Sequence, residues 1–290
     1  MAALTVDRSL LHHPADCDDT DHMLNGLTAF GIPWRRQDDA LVVDGRPFTA
    51  PAEPVFLGNS GTAMRFLAAA CATLDGEATL DGTSRMRERP IADLTEALTS
   101  WGVHASAPTR CPPVTIRSNG HFGGIAKVKG SASSQYLSGL LMAAPMGYDA
   151  VAIEVEGELV SKPYIDLTIA MMAERGVPVM HEDYQRFLVP PRRFYNGGEY
   201  TIEADASGAS YFLAAAAIAG GRVRVTNLSP QSLQGDAQFA FVLEQMGCKV
   251  ASTTEWTEVR ATGTLKGIEI DLNAMPDMVQ TLAAVALFAD

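Results

Sequence analysis

One feature constrains the fold more than any other: a repeat of about seventy residues, carried by two independent phrases. The first phrase is an amphipathic helix, a glycine where it stops, and an apolar residue that starts a strand. It reads HMLNGLTAFGIPW at Gly31, LTEALTSWGVHA at Gly102, LTIAMMAERGVPV at Gly176 and FVLEQMGCKV at Gly247, with spacings of 71, 74 and 71 residues. Glycine at that place supplies the left-handed conformation that lets a helix end and turn into a strand. The second phrase has small polar residues followed by a helix of Ala, Leu, Met and Phe. Its copies are GNSGTAMRFLAAA from Gly58, SASSQYLSGLLMAA from Ser131, ADASGASYFLAAAA from Ala204 and MPDMVQTLAAVALFA from Met275, with starts 73, 73 and 71 residues apart. A helix apolar all round is expected to be buried, whereas the first phrase belongs outside or at an edge.

Strand and hairpin signals fall between the helices: ALVVDGRPF, EATLDG, VAIEVEG, RFLVPP and EVRATG. Each unit therefore reads as β-α-β-α-β-β. The chain opens without the strand that a unit needs and ends just after a buried helix, so the fourth unit is expected to be incomplete.

Composition excludes several classes of function. With 290 residues, 47% hydrophobic and 19% charged, the chain is expected to fold rather than remain disordered. A net charge of −12 argues against a nucleic-acid or anionic-membrane surface as the main partner. The longest apolar runs fall short of a membrane span, and MAALTVDRSLLHH lacks an export signal. Cys17, Cys71, Cys111 and Cys248 are too widely spaced for a metal or redox motif. A cytoplasmic chain with free thiols and no metal site is the expectation.

Chemistry is expected at the starts of the apolar helices, because helix N-termini carry unsatisfied N–H groups and partial positive charge. Asn59, Ser60, Gly61 and Thr62 begin the first, Ser133, Ser134 and Gln135 the second, Asp205, Ser207 and Ser210 the third, and Asp277 the fourth. Each alone fits N-capping; the doubled serine followed by glutamine exceeds what a cap requires. Arg65 lies one turn into an Ala-rich helix, where a charge is costly unless it meets an anion or a carboxylate. Arg85, Arg87 and Arg89 crowd SRMRERPIADL, and Lys162 sits in LVSKPYIDL.

Seven strings, in order, resemble the 5-enolpyruvylshikimate-3-phosphate (EPSP) synthase family of enolpyruvyl transferases: LGNSGTAMRFLAA, RMRERPIADL, GSASSQYLSGLLMAAP, LVSKPYIDL, DASGASYFLAAAAIAGG, QGDAQFAFVLEQMG and MPDMVQTLAAVALFA. The resemblance implies an α+β fold of two domains built from βαβαββ units around buried helices. Residues 1–203 would form the shikimate-3-phosphate-binding domain and residues 204–290 part of the second. It implies carboxyvinyl transfer from phosphoenolpyruvate to the 5-hydroxyl of shikimate 3-phosphate, releasing phosphate, with no metal or organic cofactor.

Carried over by motif, Ser133, Ser134, Gln135 and Ser161 would hold shikimate 3-phosphate, with Tyr164 close by. Asn59 and Arg85, with Gln135, would serve the phosphoenolpyruvate site. Gly61, Thr62, Arg65, Arg89 and Lys162 would support them, and Asp277 would accept the proton of the 5-hydroxyl. The family's Gly-Ser-Lys-Ser segment and its later Lys, Glu, His-Arg and Lys motifs are not among these strings. The isolated chain is therefore expected to be inactive or nearly so, or a non-catalytic module that binds shikimate 3-phosphate. Phe66 stands where many members have Pro, beside the site where the inhibitor glyphosate competes. A related UDP-N-acetylglucosamine enolpyruvyl transferase would need a loop cysteine, for which Cys111 is the candidate. The resemblance implies a monomer with small-molecule partners.

Overall fold

A computed structural model describes residues 1–290, and the two phrases of the repeat become two sets of helices. The first repeat runs β1 (Arg8–His12), α1 (Asp18–Ala29), β2 (Trp34–Gln37) and β3 (Ala40–Asp44). The second runs β4 (Val55–Phe56), α2 (Gly61–Ala70), β5 (Asp75–Asp81), α3 (Ala92–Ser100), β6 (His104–Ser106) and β7 (Val114–Asn119). The third runs β8 (Gly124–Lys129), α4 (Ser134–Ala143), β9 (Val151–Glu156), α5 (Lys162–Glu174), β10 (Met180–Glu182) and β11 (Arg186–Val189). The fourth runs β12 (Gly198–Thr201), α6 (Ala206–Ala219), β13 (Arg222–Thr226), α7 (Phe239–Gln245), β14 (Lys249–Ser252) and β15 (Trp256–Arg260), and α8 (Val279–Ala286) follows it.

The glycines that set the period all take positive φ: Gly31 78°, Gly102 84°, Gly176 84° and Gly247 108°. A side chain is strained in that conformation, so the repeat in sequence is a repeat of backbone turns. Asp18, Asp19 and Asp21 fall in the first turn of α1, where their negative charge meets the positive end of the helix.

Contacts divide the chain into two units. The larger holds Met1–Val160 and Thr168–Thr201, the smaller Ser161–Leu167 and Ile202–Asp290. The larger unit contains three four-stranded sheets, ordered β12-β1-β3-β2, β4-β5-β7-β6 and β8-β9-β11-β10. Each has one parallel pair at an edge followed by two antiparallel pairs. In the first sheet the parallel edge strand is β12, from the fourth repeat, with Ser9 opposite Gly198 and His12 opposite Thr201. Alternation along the strands puts Ala78 and Leu80 of β5, and Phe187 and Val189 of β11, into the core.

The apolar helices α2 and α4 lie against each other in this core. All of α2 except Thr62 and Phe66 is buried, as are Tyr136 to Leu141 of α4. Gly139 permits the approach: a Cβ there would sit 3.3 Å from both the Ala69 Cβ and the Arg65 carbonyl.

The smaller unit departs from the expectation that every Ala-rich helix is buried all round. Leu213, Ala214 and Ala217 of α6 and Val285 of α8 join a core with Phe239, Leu243 and Val259. Yet Phe212 is 65% exposed and Leu287, just past α8, 83%. This unit has one three-stranded sheet, β13-β15-β14, so its helices have fewer surfaces to pack on than α2 and α4. No helix is long and apolar enough to cross a membrane.

Candidate functional site

In the larger unit the expected residues gather at the starts of α2 and α4. Ser60 caps α2, its Oγ accepting the Ala63 N–H at 3.3 Å, and Ser133 caps α4, accepting the Gln135 N–H at 3.3 Å. Both serines thus act as caps, which the sequence allowed for each singly. The Gln135 side chain then reaches across to α2. Its amide oxygen accepts from Arg65 Nη1 at 2.5 Å, and its amide nitrogen donates to Thr62 Oγ1 at 3.2 Å.

Arg65 is 8% exposed. Its guanidinium meets an amide oxygen and, at 5.3 Å, the face of the Tyr136 ring, rather than a carboxylate. Burial, foremost, weakens its hold on the proton; Tyr136 opposes this and Arg89 adds to it. A buried charge compensated only by neutral groups is destabilising by several kcal/mol relative to water. It is the arrangement of a group that gains its full partner when an anion arrives.

Arg89 joins the same cluster through the backbone. Its Nη1 donates to the Asn59 carbonyl at 3.1 Å, and its guanidinium covers Gly61, where a Cβ would lie 2.5 Å from Nη2. Tyr136 fixes the arginine loop by donating to the Pro90 carbonyl. Ser134 is half-buried at the first position of α4, and the Asn59 side chain is exposed.

Arg85 is not brought into this cluster. It is exposed and paired with Glu88 at 2.6 Å, while Arg87 is paired with Asp81. The crowded arginines therefore divide by partner: two hold carboxylates, and Arg89 holds backbone.

The smaller unit has the opposite character. Tyr164 Oη lies 3.2 Å from Asp277 Oδ2 and 3.3 Å from both carboxylate oxygens of Asp236. Asp236 is 3% exposed and also accepts from the Ser207 hydroxyl. Burial first, and then Asp277, push its carboxyl above the usual carboxylate range, against the Ser207 hydrogen bond. Burial and the same two carboxylates push the Tyr164 phenol well up. Ser161 has φ of 57°, a left-handed turn immediately before α5, which begins at Lys162.

The starts of α6 and α8 are surrounded differently from those of α2 and α4. At the start of α6, Asp205 accepts the Ser207 N–H at 3.0 Å and Gln234 Oε1 accepts the Ala206 N–H at 3.0 Å. A 3-10 turn, Pro276–Met278, precedes α8 and carries Asp277. Protein acceptors already satisfy these α6 donors, and the nearby charge at both starts is negative, from Asp205 and Asp277. In the sequence QGDAQF carries only the resemblance; in the structure its Gln234 accepts the Ala206 N–H and its Asp236 the Ser207 hydroxyl, which organises this end. Polar residues just before a short helix were the available signal.

The EPSP synthase family, 3-phosphoshikimate 1-carboxyvinyltransferase, matches residues 1–290. The chain belongs to the EPSP synthase family. A 3-phosphoshikimate 1-carboxyvinyltransferase of Vibrio campbellii is 45% identical over the whole of this chain and 70% of its own length. One of Xenorhabdus nematophila is 47% identical, again over the whole chain and 69% of its own length. An EPSP synthase structure from Acinetobacter baumannii superposes with a TM-score of 0.79 at 20% identity, covering 98% of this chain and 66% of that one. The α+β fold that the resemblance implies is thus the fold of this chain, which matches that of EPSP synthase. The family's reaction is enolpyruvyl transfer to shikimate 3-phosphate in the shikimate pathway. The chain spans about two thirds of the length of these relatives. The reading of Cys111 as the loop cysteine of a different enolpyruvyl transferase gains nothing: Cys111 lies half-buried in a bend, and its carbonyl accepts the Thr109 hydroxyl.

Proposed function

We propose that this chain takes part in enolpyruvyl transfer from phosphoenolpyruvate to the 5-hydroxyl of shikimate 3-phosphate. In the larger unit, Ser133, Ser134 and Gln135 bind shikimate 3-phosphate. Asn59, Arg85 and Gln135 bind phosphoenolpyruvate, supported by Gly61, Thr62, Arg65 and Arg89. In the smaller unit, Ser161, Lys162 and Tyr164 contact shikimate 3-phosphate, and Asp277 accepts the proton as the 5-hydroxyl oxygen adds to the enolpyruvyl carbon. Phosphate then leaves from the tetrahedral adduct.

The observation that carries this reading is Arg65: a buried guanidinium held by an amide, at the starts of two helices whose caps are serines. Such donors, fixed before a ligand arrives, favour a dianionic phosphate or a carboxylate and need little reorganisation. Arg85 serves the reading only if it exchanges Glu88 for ligand, which an exposed pair of that kind permits at small cost. Glyphosate, an anion, competes at the phosphoenolpyruvate residues. The chain acts as a cytoplasmic monomer, and its small-molecule partners are the two substrates.

Amide NMR tests the assignment. Shikimate 3-phosphate is expected to shift the resonances of Ser133 to Gln135 saturably, and shikimate without the phosphate to do so only at about tenfold or more higher concentration. Equal response to the two ligands would overturn it.

A further inference from the structure

The smaller unit holds a buried carboxyl that the proposed chemistry does not use. Asp236 is on the 3-10 turn Gly235–Gln238, immediately before α7. Asp236 holds neither cap position, since Gln234 precedes the turn and Gln238 precedes α7. Its oxygens instead face side chains: the hydroxyl of Ser207 on α6 and that of Tyr164 on α5. Tyr164 Oη in turn lies 3.2 Å from Asp277. Two carboxylates from distant parts of the sequence therefore meet at one hydroxyl, that of Tyr164.

A phenol has one proton to donate and an oxygen that also accepts. It cannot donate fully to both carboxylates. Asp236 has the Ser207 hydroxyl as a second fixed donor and is shut away from water, while Asp277 is exposed. Tyr164 oriented toward Asp236 leaves its oxygen turned to Asp277, ready to accept a hydrogen bond once Asp277 carries a proton.

We propose that Asp236 is a positioning residue for Asp277, acting through the Tyr164 hydroxyl, so that a proton taken up by Asp277 is shared along the chain Asp277–Tyr164–Asp236. The proposal rests on the reading of Asp277 as proton acceptor. No new bond to substrate is involved: the 5-hydroxyl proton goes to Asp277, the Asp277 O–H donates to the Tyr164 oxygen, and Tyr164 keeps donating to Asp236. Asp205, the α6 cap, also faces Asp236, and its negative charge adds to that of Asp277 in raising the proton affinity of Asp236. Ser207 works in the opposite direction.

The experiment is a carboxyl-carbon NMR titration of the full chain labelled at aspartate, without substrate. Asp236 is followed in the unaltered chain, in Asp277→Asn, in Tyr164→Phe and in the double variant. In the unaltered chain, Asp277→Asn is expected to weaken proton binding at Asp236 about threefold or more, because a neighbouring negative charge is removed. In the Tyr164→Phe background the same substitution is expected to have less than half that effect, because the shared hydroxyl is gone. Equal effects in the two backgrounds mean that the carboxyls sense each other through space alone and overturn the relay. No effect in either overturns the proposal outright. Asp236→Glu, which keeps the charge, is expected to retain the folded amide spectrum, and Asp236→Asn to alter the Tyr164 ring-carbon shift; an unmoved Tyr164 signal in Asp236→Asn also overturns it. Because neither turnover nor substrate is involved, failure here is distinct from failure of Asp277 as the proton acceptor.

Discussion

Arg65 Nη1 lies 2.5 Å from Gln135 Oε1, so a buried guanidinium on α2 is tied to α4 by a neutral amide. The pair joins the two apolar helices at their starts. It also leaves the positive charge without a carboxylate, in a protein whose net charge is −12.

That relationship predicts opposite effects on stability and on binding. Arg65→Met keeps an unbranched apolar side chain in place of the arginine stem and removes the uncompensated charge. Unfolding by urea is expected to show unchanged stability or a gain of about 1 kcal/mol. Affinity for shikimate 3-phosphate is expected to fall about tenfold, because Gln135 loses the partner that orients it. A variant that is both less stable and unaffected in binding would mean that Arg65 is structural.

Gly61 lies under the Arg89 guanidinium. A methyl at residue 61 would come within 2.5 Å of Arg89 Nη2 and force the end of the side chain aside. Gly61→Ala is therefore expected to fold, since a flexible group can move, but to break the Arg89–Asn59 hydrogen bond. Competition binding is expected to show a weaker grip on phosphoenolpyruvate and on glyphosate, by about fivefold or more.

Asp236 gives a pH dependence whose sign follows from its environment. Burial first and Asp277 second raise its carboxyl above the ordinary value. The folded state then binds this proton more tightly than the unfolded state, so stability falls as pH climbs from the ordinary carboxylate range through the raised value. Asp236→Asn has no such proton. The stability of the unaltered chain relative to this variant is expected to decrease across that window in urea titrations at stepped pH. A constant difference would show that Asp236 is not perturbed.

The thiols should separate by access. Cys17 is exposed, whereas Cys71 is buried and its thiol is pushed well up by burial. A thiolate-directed reagent is expected to modify Cys17 in seconds to minutes and Cys71 only on unfolding. Mass mapping after a short exposure reads this directly.

Much of this was legible in the sequence, because the repeat is a repeat of backbone requirements. The glycines at 31, 102, 176 and 247 need positive φ, and a residue that only glycine fills comfortably marks its place in any sequence. The second phrase marked α2 and α4 for the same reason: a helix with no polar face has to be buried. The same rule misjudged α6 and α8, because the pattern of one helix does not say how many partners surround it. In the site, Arg65, Gln135 and Thr62 were visible as an odd charge and an unneeded polar side chain near helix starts. Asp236 was not, since its meaning depends on Tyr164 and Ser207, 72 and 29 residues away. The partners of Arg85 and Arg89 were hidden likewise, because a cluster of arginines does not reveal which carboxylate or carbonyl each one meets.

Calorimetric titration of the chain with shikimate 3-phosphate tests the central claim most directly. A single saturable site is expected, and replacing Ser133 and Ser134 together by alanine is expected to weaken it about tenfold or more while the thermal transition moves by only a few degrees. The absence of saturable heat, or an affinity indifferent to the loss of both serines, would contradict the account.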